Sequence, residues 1–277
     1  LPTAVSEMSF FAGKVVIVTG SSNGIGRGTA VLFAKQGAKV TITGRNAESL
    51  EETKQQCLQA GAQEDDILDL IGEITDESFN VKLISATVEK FGQLDVLVNN
   101  AGGTTFANFG KGFTDIPVDE FSKLMELNVK QVLRLSQLAA PHLEKTKGAI
   151  VNVSSIAANH QFCPIPYYSV TKTALDQITI QMAGGLIKKG IRVNSVNPGP
   201  VQTNIAVTAG LTRELQDKMF EEQGSQKNIP LGRIGLPEDI AKIIVFLADR
   251  SQSEILIGHI MTADGGVSLK SAMFPDA

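Results

Sequence analysis

Tyr168 and Lys172 stand four residues apart in Tyr168-Ser169-Val170-Thr171-Lys172, and Ser155 follows the apolar run Ala149-Ile150-Val151-Asn152-Val153-Ser154. Four helical residues turn through about 400°, so this phenol and this ammonium leave one helix face and can share a site, with Tyr167 one residue further round. A free phenol titrates near about 10, which makes it a poor base at neutral pH, and a neighbouring cation favours its anion. Lys172 supplies such a field. The hydroxyl of Ser155 can hold a reacting oxygen and meet the charge that develops there. Together the three side chains are equipped to move a proton to or from an oxygen. Tyr-x-x-x-Lys by itself is ordinary spacing on a helix surface, so the elements that place these side chains decide the matter.

At the other end of the chain, Val15-Val16-Ile17-Val18 is a β-branched run of the kind that makes a buried parallel strand. It flows into Thr19-Gly20-Ser21-Ser22-Asn23-Gly24-Ile25-Gly26, after which the pattern turns helical. Strand, glycine turn and helix start together form a phosphate-binding element: the turn needs residues without Cβ, and free N–H groups at a helix N-terminus face an anion. Gly20, Ser22, Asn23, Gly24, Ile25 and Gly26 are the candidate contacts. Their Gly-x-x-x-Gly-x-Gly spacing departs from the common Gly-x-Gly-x-x-Gly dinucleotide fingerprint, and in isolation a ligand-free glycine turn reads the same way.

Thr19-Gly20-x-x-x-Gly24-Ile25-Gly26, Asn99-Asn100-Ala101-Gly102, Asn128, Ser155, Tyr168-x-x-x-Lys172 and Asn197-Pro198-Gly199 occur in one order from about Lys14 to Gly266. In that order and spacing the chain resembles the short-chain dehydrogenase/reductase family. The resemblance implies hydride transfer between a nicotinamide cofactor and a carbonyl or secondary alcohol. In it Tyr168 exchanges the proton, and Lys172 also bonds the nicotinamide ribose. It implies that Asn128 bends its helix and positions a water serving the lysine, that Asn99 stabilises the sheet, and that Asn100, Ala101 and Gly102 pass close to the cofactor. Pro198 and Gly199 are implied beneath the ring, with Thr203 at its carboxamide and Val201 among the cofactor contacts. Glu73 stands where relatives usually carry Asp against the adenine, which leaves that contact in doubt.

The residues themselves speak to the adenosine end. An acid after the second strand accepts from a free ribose 2′-hydroxyl, whereas an arginine neutralises a 2′-phosphate. Here Gly44 is followed by Arg45, which favours NADP over NAD. Asn23 rather than a basic residue precedes Gly24, so a second phosphate clamp is missing, and Arg45 as a solvated loop residue stays open. Asn128 sits in the middle of an expected helix, where an amide has no evident structural reason to be.

The 277 residues are 43% hydrophobic and 19% charged, which suits a single folded α/β domain and excludes a disordered chain. A net charge of −4 without a basic stripe argues against nucleic acid, and no apolar run reaches membrane-span length. Cys57 and Cys163 lie far apart in unlike contexts, which points to a reducing, cytoplasmic setting. His142, His160 and His259 are isolated, so no metal site is expected.

Strands are expected near Val15 to Thr19, Lys39 to Thr43, Ile67 to Ile71, Leu94 to Asn99, Ala149 to Ser154, Arg192 to Asn197 and Ile260 to Thr262. Helices are expected over Gly26 to Gln36, Ala47 to Ala60, Asp76 to Phe91, Val118 to Lys145, Tyr167 to Lys189 and Pro237 to Ala248. This alternation is that of one doubly wound Rossmann-type domain, a seven-stranded, mostly parallel sheet with helices on both faces. Residues 1–12 read as an N-terminal extension, 13–266 as the catalytic domain and 267–277 as a tail.

A substrate pocket is expected from Gly103 to Phe109, His160 to Pro164 and a lid over residues 202–233, with Phe106, Phe162, Ile205 and Leu211 as an apolar wall. Each of those phenylalanines serves equally well as core. Met125, Leu133, Leu138, Ile180 and Met182 leave apolar surface on two helices that a homodimer or homotetramer would cover. An epimerase or dehydratase using the cofactor transiently, and a nucleotide-binding scaffold without turnover, are the competing functional classes.

Overall fold

The computed structural model describes residues 10–108, 111, 113–159 and 165–270. Among them the strands β1 (Val15–Val18), β2 (Lys39–Gly44), β3 (Ile67–Ile71), β4 (Val96–Asn99), β5 (Ala149–Val153), β6 (Arg192–Pro198) and β7 (Ile260–Ala263) form one sheet in the order β3-β2-β1-β4-β5-β6-β7. Every pairing is parallel. The order reverses between β1 and β4, and in an open sheet of this kind the ligand crevice lies beyond the strand ends at that point.

Alternation along β1 divides the core between the two faces of the sheet. Val16 and Val18 join Phe33, Ile42, Val98, Ile240 and Ile244 on one side, whereas Val15 and Ile17 join Leu83, Leu97, Leu135, Ile150 and Val193 on the other. A strand covered by helices on both sides is buried at every position: β1 is apolar throughout, β4 and β5 carry Asn99 and Asn152 paired with each other at 2.9 Å, and the edge strand β3 exposes Asp69 and Ile71.

The covering helices are α1 (Gly24–Lys35), α2 (Ala47–Gln59), α3 (Glu77–Phe91), α4 (Val118–Met125), α5 (Gln131–Thr146), α6 (Pro166–Leu186), α7 (Ile205–Thr208), α8 (Arg213–Gln223), α9 (Pro237–Ala248) and α10 (Arg250–Ser253). Helices α1 and α9 approach closely because Gly28 has no side chain: a Cβ there would stand 3.2 Å from that of Pro237.

The expected helix from Val118 to Lys145 is interrupted. Between α4 and α5 the backbone makes a π turn over Glu126–Lys130, in which the Gln131 N–H reaches back to the Glu126 carbonyl. Helices α7 and α8 lie inside the 202–233 stretch read from sequence as a lid. The packed body also starts earlier than residue 13, since Phe11 is fully buried with its ring 4.9 Å from that of Phe33. Cys57 is a buried free thiol; Cys163 lies outside the described residues.

Of the apolar residues expected on an uncovered face, only Ile180 is exposed. Met125, Leu133, Leu138 and Met182 are half-buried, with Leu138 and Met182 packed onto the core. No helix among the described residues is long and apolar enough to cross a membrane, and no described cluster of His, Cys, Asp or Glu could hold a metal ion.

Candidate active site

Strand β5 ends at Val153, and the chain turns through Ser154 into a short 3-10 turn at Ile156–Ala158. Ser155 caps that turn, its Oγ accepting the Ala157 N–H at 3.1 Å, which aims the hydroxyl off the end of the sheet. Helix α6 starts with Pro166 in its first turn, where a missing N–H costs nothing. Its buried face carries Tyr168, Lys172 and Asp176, one turn apart. The Lys172 Nζ donates to the Val153 carbonyl at 2.9 Å and lies 5.6 Å from the centroid of the Tyr168 ring. Phenol, ammonium and serine hydroxyl meet as their spacing predicts.

Their ionisation differs from the sequence-based expectation. Burial pushes the Tyr168 phenol up to about 12, opposed by a hydrogen bond with Ser155. Burial also pushes Lys172 down to about 8, opposed by the Asp176 carboxylate. Asp176 went unnoticed in the sequence, although an acid four residues after the lysine on a buried helix face is a readable signal. Its own carboxyl is raised by burial, and its Oδ2 accepts from Asn197 Nδ2 at 2.6 Å.

Asn128 stands one layer behind the cleft, at the centre of the π turn. Its Oδ1 accepts the Gly103 N–H at 2.9 Å, and its Nδ2 donates to the Gly103 carbonyl at 2.9 Å and to Thr171 Oγ1 at 3.1 Å. The amide therefore has a structural reason to be there. It ties the segment after β4 to α6, and a Cβ on Gly102 would come within 2.9 Å of Asn128 Oδ1 and 3.3 Å of Lys172 Nζ.

The glycine turn is braced from two directions. Asn100 Nδ2 donates to the Thr19 and Gly20 carbonyls at 2.8 and 3.0 Å, while Thr19 Oγ1 accepts the N–H groups of Asn100 and Ala101. Gly26 must be glycine, because a Cβ would fall 2.3 Å from the Gly20 carbonyl oxygen. From the rear, Arg27 donates to the Ser22 carbonyl, to the Ser49 carbonyl at 2.9 Å and to Thr53 Oγ1 at 3.0 Å. Sequence reasoning passed over Arg27 because its partners lie on α2. The N-cap Asn23 makes no side-chain capping bond and the first turn of α1 has no acid, so N–H groups of this turn remain for an anion. The cradle fits a dinucleotide pyrophosphate.

After β2, Gly44 is dictated by packing: a Cβ would lie 2.9 Å from both Cβ and Oγ of Ser22. The room that Gly44 leaves is filled by Ser22. Arg45 is exposed and makes a 3.4 Å ion pair with Glu73. Beyond β6, the Gly199 N–H bonds the Ala263 carbonyl at 3.0 Å, and Thr203 packs on the glycine turn, its Cγ2 3.0 Å from where a Gly24 Cβ would stand.

The family model described as enoyl-(acyl carrier protein) reductase matches residues 20–268. A solved short-chain dehydrogenase/reductase of unknown function from Caenorhabditis elegans, crystallised with cofactor, is 44% identical with a TM-score of 0.93, covering 97% of this chain and all of that one. The chain belongs to the short-chain dehydrogenase/reductase family. A glucose dehydrogenase of Caenorhabditis elegans in its apo-form is 46% identical with a TM-score of 0.79, over 94% of this chain and 99% of that one. A 7α-hydroxysteroid dehydrogenase complexed with NADH and 7-oxo glycochenodeoxycholic acid is 34% identical with a TM-score of 0.79, over 92% and 94%. This short-chain dehydrogenase/reductase is an NAD(P)-dependent oxidoreductase of the class acting on CH–OH groups.

In it, every expected catalytic and cofactor residue except Asn128 lines one continuous cleft of about 960 Å³. Phe106 and Ile205 line the cleft as expected, and Leu211 does not. Phe109, His160, Phe162 and Cys163 lie outside the described residues. The structure adds Met219 and Phe220 from α8, with Ile165 and Ile229. The lid expected over 202–233 carries a helix, α8, that the sequence reading did not assign, and this helix presents Met219 and Phe220.

Proposed function

We propose that this short-chain dehydrogenase/reductase moves hydride between NADP(H) and a small, partly apolar ketone or secondary alcohol. The observation that carries this reading is a single cleft with Ser155, Tyr168 and Lys172 on one wall and the glycine turn with Arg45 at its other end. When bound, the nicotinamide supplies or accepts the hydride at its C4. The chain does the rest. Ser155 and Tyr168 hold the substrate oxygen, and Tyr168 gives it a proton in reduction and takes one in oxidation. A phenol held protonated by burial suits the reductive direction, and the Lys172 ammonium favours the phenolate left behind. Asp176 and the Val153 carbonyl hold that ammonium in place, and Asn128 sets the spacing between α6 and the turn after β4.

For cofactor choice, the support is Arg45 together with the absence of an acid at Gly44. Phe106, Ile205, Met219 and Phe220 favour an apolar substrate face, with 202–233 acting as its lid within a catalytic domain that takes in Phe11 and runs to about residue 266. The exposed Val170, Ile180, Ile255 and Ile257 support a homodimer or homotetramer; a monomeric mass by light scattering at micromolar concentration counts against it. The buried thiol of Cys57 is consistent with the cytoplasm.

Nicotinamide absorbance followed across a panel of ketones, aldehydes and secondary alcohols tests the reaction. Turnover with apolar ketones and NADPH is the expected result, and no turnover with any carbonyl or alcohol overturns it.

A further inference from the structure

Beside the main cleft lies a smaller cavity of about 260 Å³, bounded by the glycine turn, the end of β2 and the start of α8. Ser22, Asn23, Arg45 and Thr208 line both, so the two are continuous. Its remaining walls are Asn46, Ser49, Asn204, Val207 and Arg213. Two guanidinium groups therefore face one small space with hydroxyls and amides around it, and not one lining residue is acidic. Such a composition recognises a dianionic phosphate, since guanidinium groups offer paired donors and hydroxyls add neutral ones.

The two arginines come from different parts of the molecule. Arg45 follows a central strand and shares its charge with Glu73 at 3.4 Å. Arg213 opens α8 within residues 202–233 and donates from Nη1 to Asn204 Oδ1 at 3.0 Å, which fixes its position while leaving other donors of the fork uncommitted. Arg213 has no acidic partner among the described contacts.

We infer that Arg213 is a second 2′-phosphate ligand of the cofactor, so that the phosphorylated dinucleotide, bound against Arg45, also draws the substrate-covering segment onto the glycine turn. This rests on the NADP reading above and deepens it. Cofactor discrimination and closure over the substrate then become one event: a cofactor without the phosphate binds Arg45's end of the cleft and leaves α8 unanchored. The absence of a basic residue beside Gly24 acquires a reason, because the second positive charge arrives from the 202–233 segment instead.

The test is calorimetric binding to the whole chain, with NADP⁺, NAD⁺ and the fragment adenosine 2′,5′-bisphosphate as probes, for wild type, Arg45→Ala, Arg213→Ala and Arg213→Lys. Limited proteolysis within 202–233 is run alongside. Arg213→Ala is expected to weaken NADP⁺ and the bisphosphate by about tenfold while changing NAD⁺ by no more than about twofold, with Arg213→Lys intermediate. NADP⁺ but not NAD⁺ should protect the segment from cleavage, and Arg213→Ala should remove that protection. If wild type binds NADP⁺ and NAD⁺ equally, the cofactor reading itself fails. If wild type prefers NADP⁺ and Arg45→Ala abolishes the preference while Arg213→Ala leaves it intact, the cofactor reading stands and the role of Arg213 is overturned. Equal weakening of both dinucleotides by Arg213→Ala also overturns it.

Discussion

The wall that carries Tyr168 and the segment that faces it are held by different means. On the wall, the polar atoms are tied into the sheet: Lys172 to the Val153 carbonyl, Asn128 to Gly103 and Thr171, and Asn99 to Asn152, which continues to Thr179. Tyr168, Lys172 and Asn128 are 9%, 4% and 1% exposed. The 202–233 segment is pinned near its ends, where Val201 bridges Gly235 and the Leu231 N–H bonds the Gly265 carbonyl. Between them it touches the body through a few contacts, among them Phe106 N–H to the Ala209 carbonyl, and leaves Ile205, Leu215 and Leu231 exposed. Few buried contacts mean low local stability. On the proposed function, the proton-transfer wall is the densely bonded region and the substrate face belongs to the more loosely held segment.

The largest effect is expected at the wall. Tyr168→Phe should lower single-turnover hydride transfer by roughly 10²- to 10⁴-fold with cofactor affinity nearly unchanged, because it removes the transferable proton and keeps the ring. Tyr167→Phe is the control: its hydroxyl donates to the Ile116 carbonyl away from the cleft, so it should cost about 1 kcal/mol of stability and spare the rate. Equal rates in the two variants would remove Tyr168 from acid–base chemistry.

Asn128→Ala comes next. It unpairs both backbone groups of Gly103 without touching the cleft, and should cost about 1–3 kcal/mol in denaturant unfolding together with a drop in rate. A lower rate with unchanged stability would show that the amide acts on the chemistry and not through the frame.

A pH series sharpens the same contrast. Lys172 falls from 10.5 to about 8 on folding, so its charge is complete below that value and is lost as pH rises through it. Cofactor affinity should therefore decline across about pH 8, and Lys172→Ala should flatten the profile. The sign for stability is opposite: between about 8 and 10.5 the unfolded chain binds more protons, so the Lys172 contribution rises with pH. A cofactor affinity independent of pH from about 6 to 10 would detach Lys172 from binding.

The smallest effect belongs to the segment. Phe220→Ala should lower kcat/KM for an apolar ketone by roughly tenfold, through KM, and leave thermal unfolding nearly unchanged. A large loss of stability would mean that α8 is part of the core, and the contrast between the two regions would collapse.

Much of this was legible from residue order. Parallel strands covered on both faces favour apolar, β-branched runs, so β1 could be read directly, whereas β6 buries Arg192, Asn194, Ser195 and Asn197. The i, i+4 step of a helix settled that Tyr168 and Lys172 share a face, and glycine was required at Gly26 because only hydrogen fits against the Gly20 carbonyl. These are local rules, with the cause and the effect within a few residues of each other. What required tertiary structure were relations across the chain. Arg27 braces the glycine turn through α2, Asn128 sits at the centre of a π turn with its amide bonded to Gly103, and Gly44 is small because Ser22 lies against it. The ionisation of Tyr168 belongs with these: spacing announces a nearby ammonium, but the burial that raises the phenol to about 12 comes from tertiary packing around the ring.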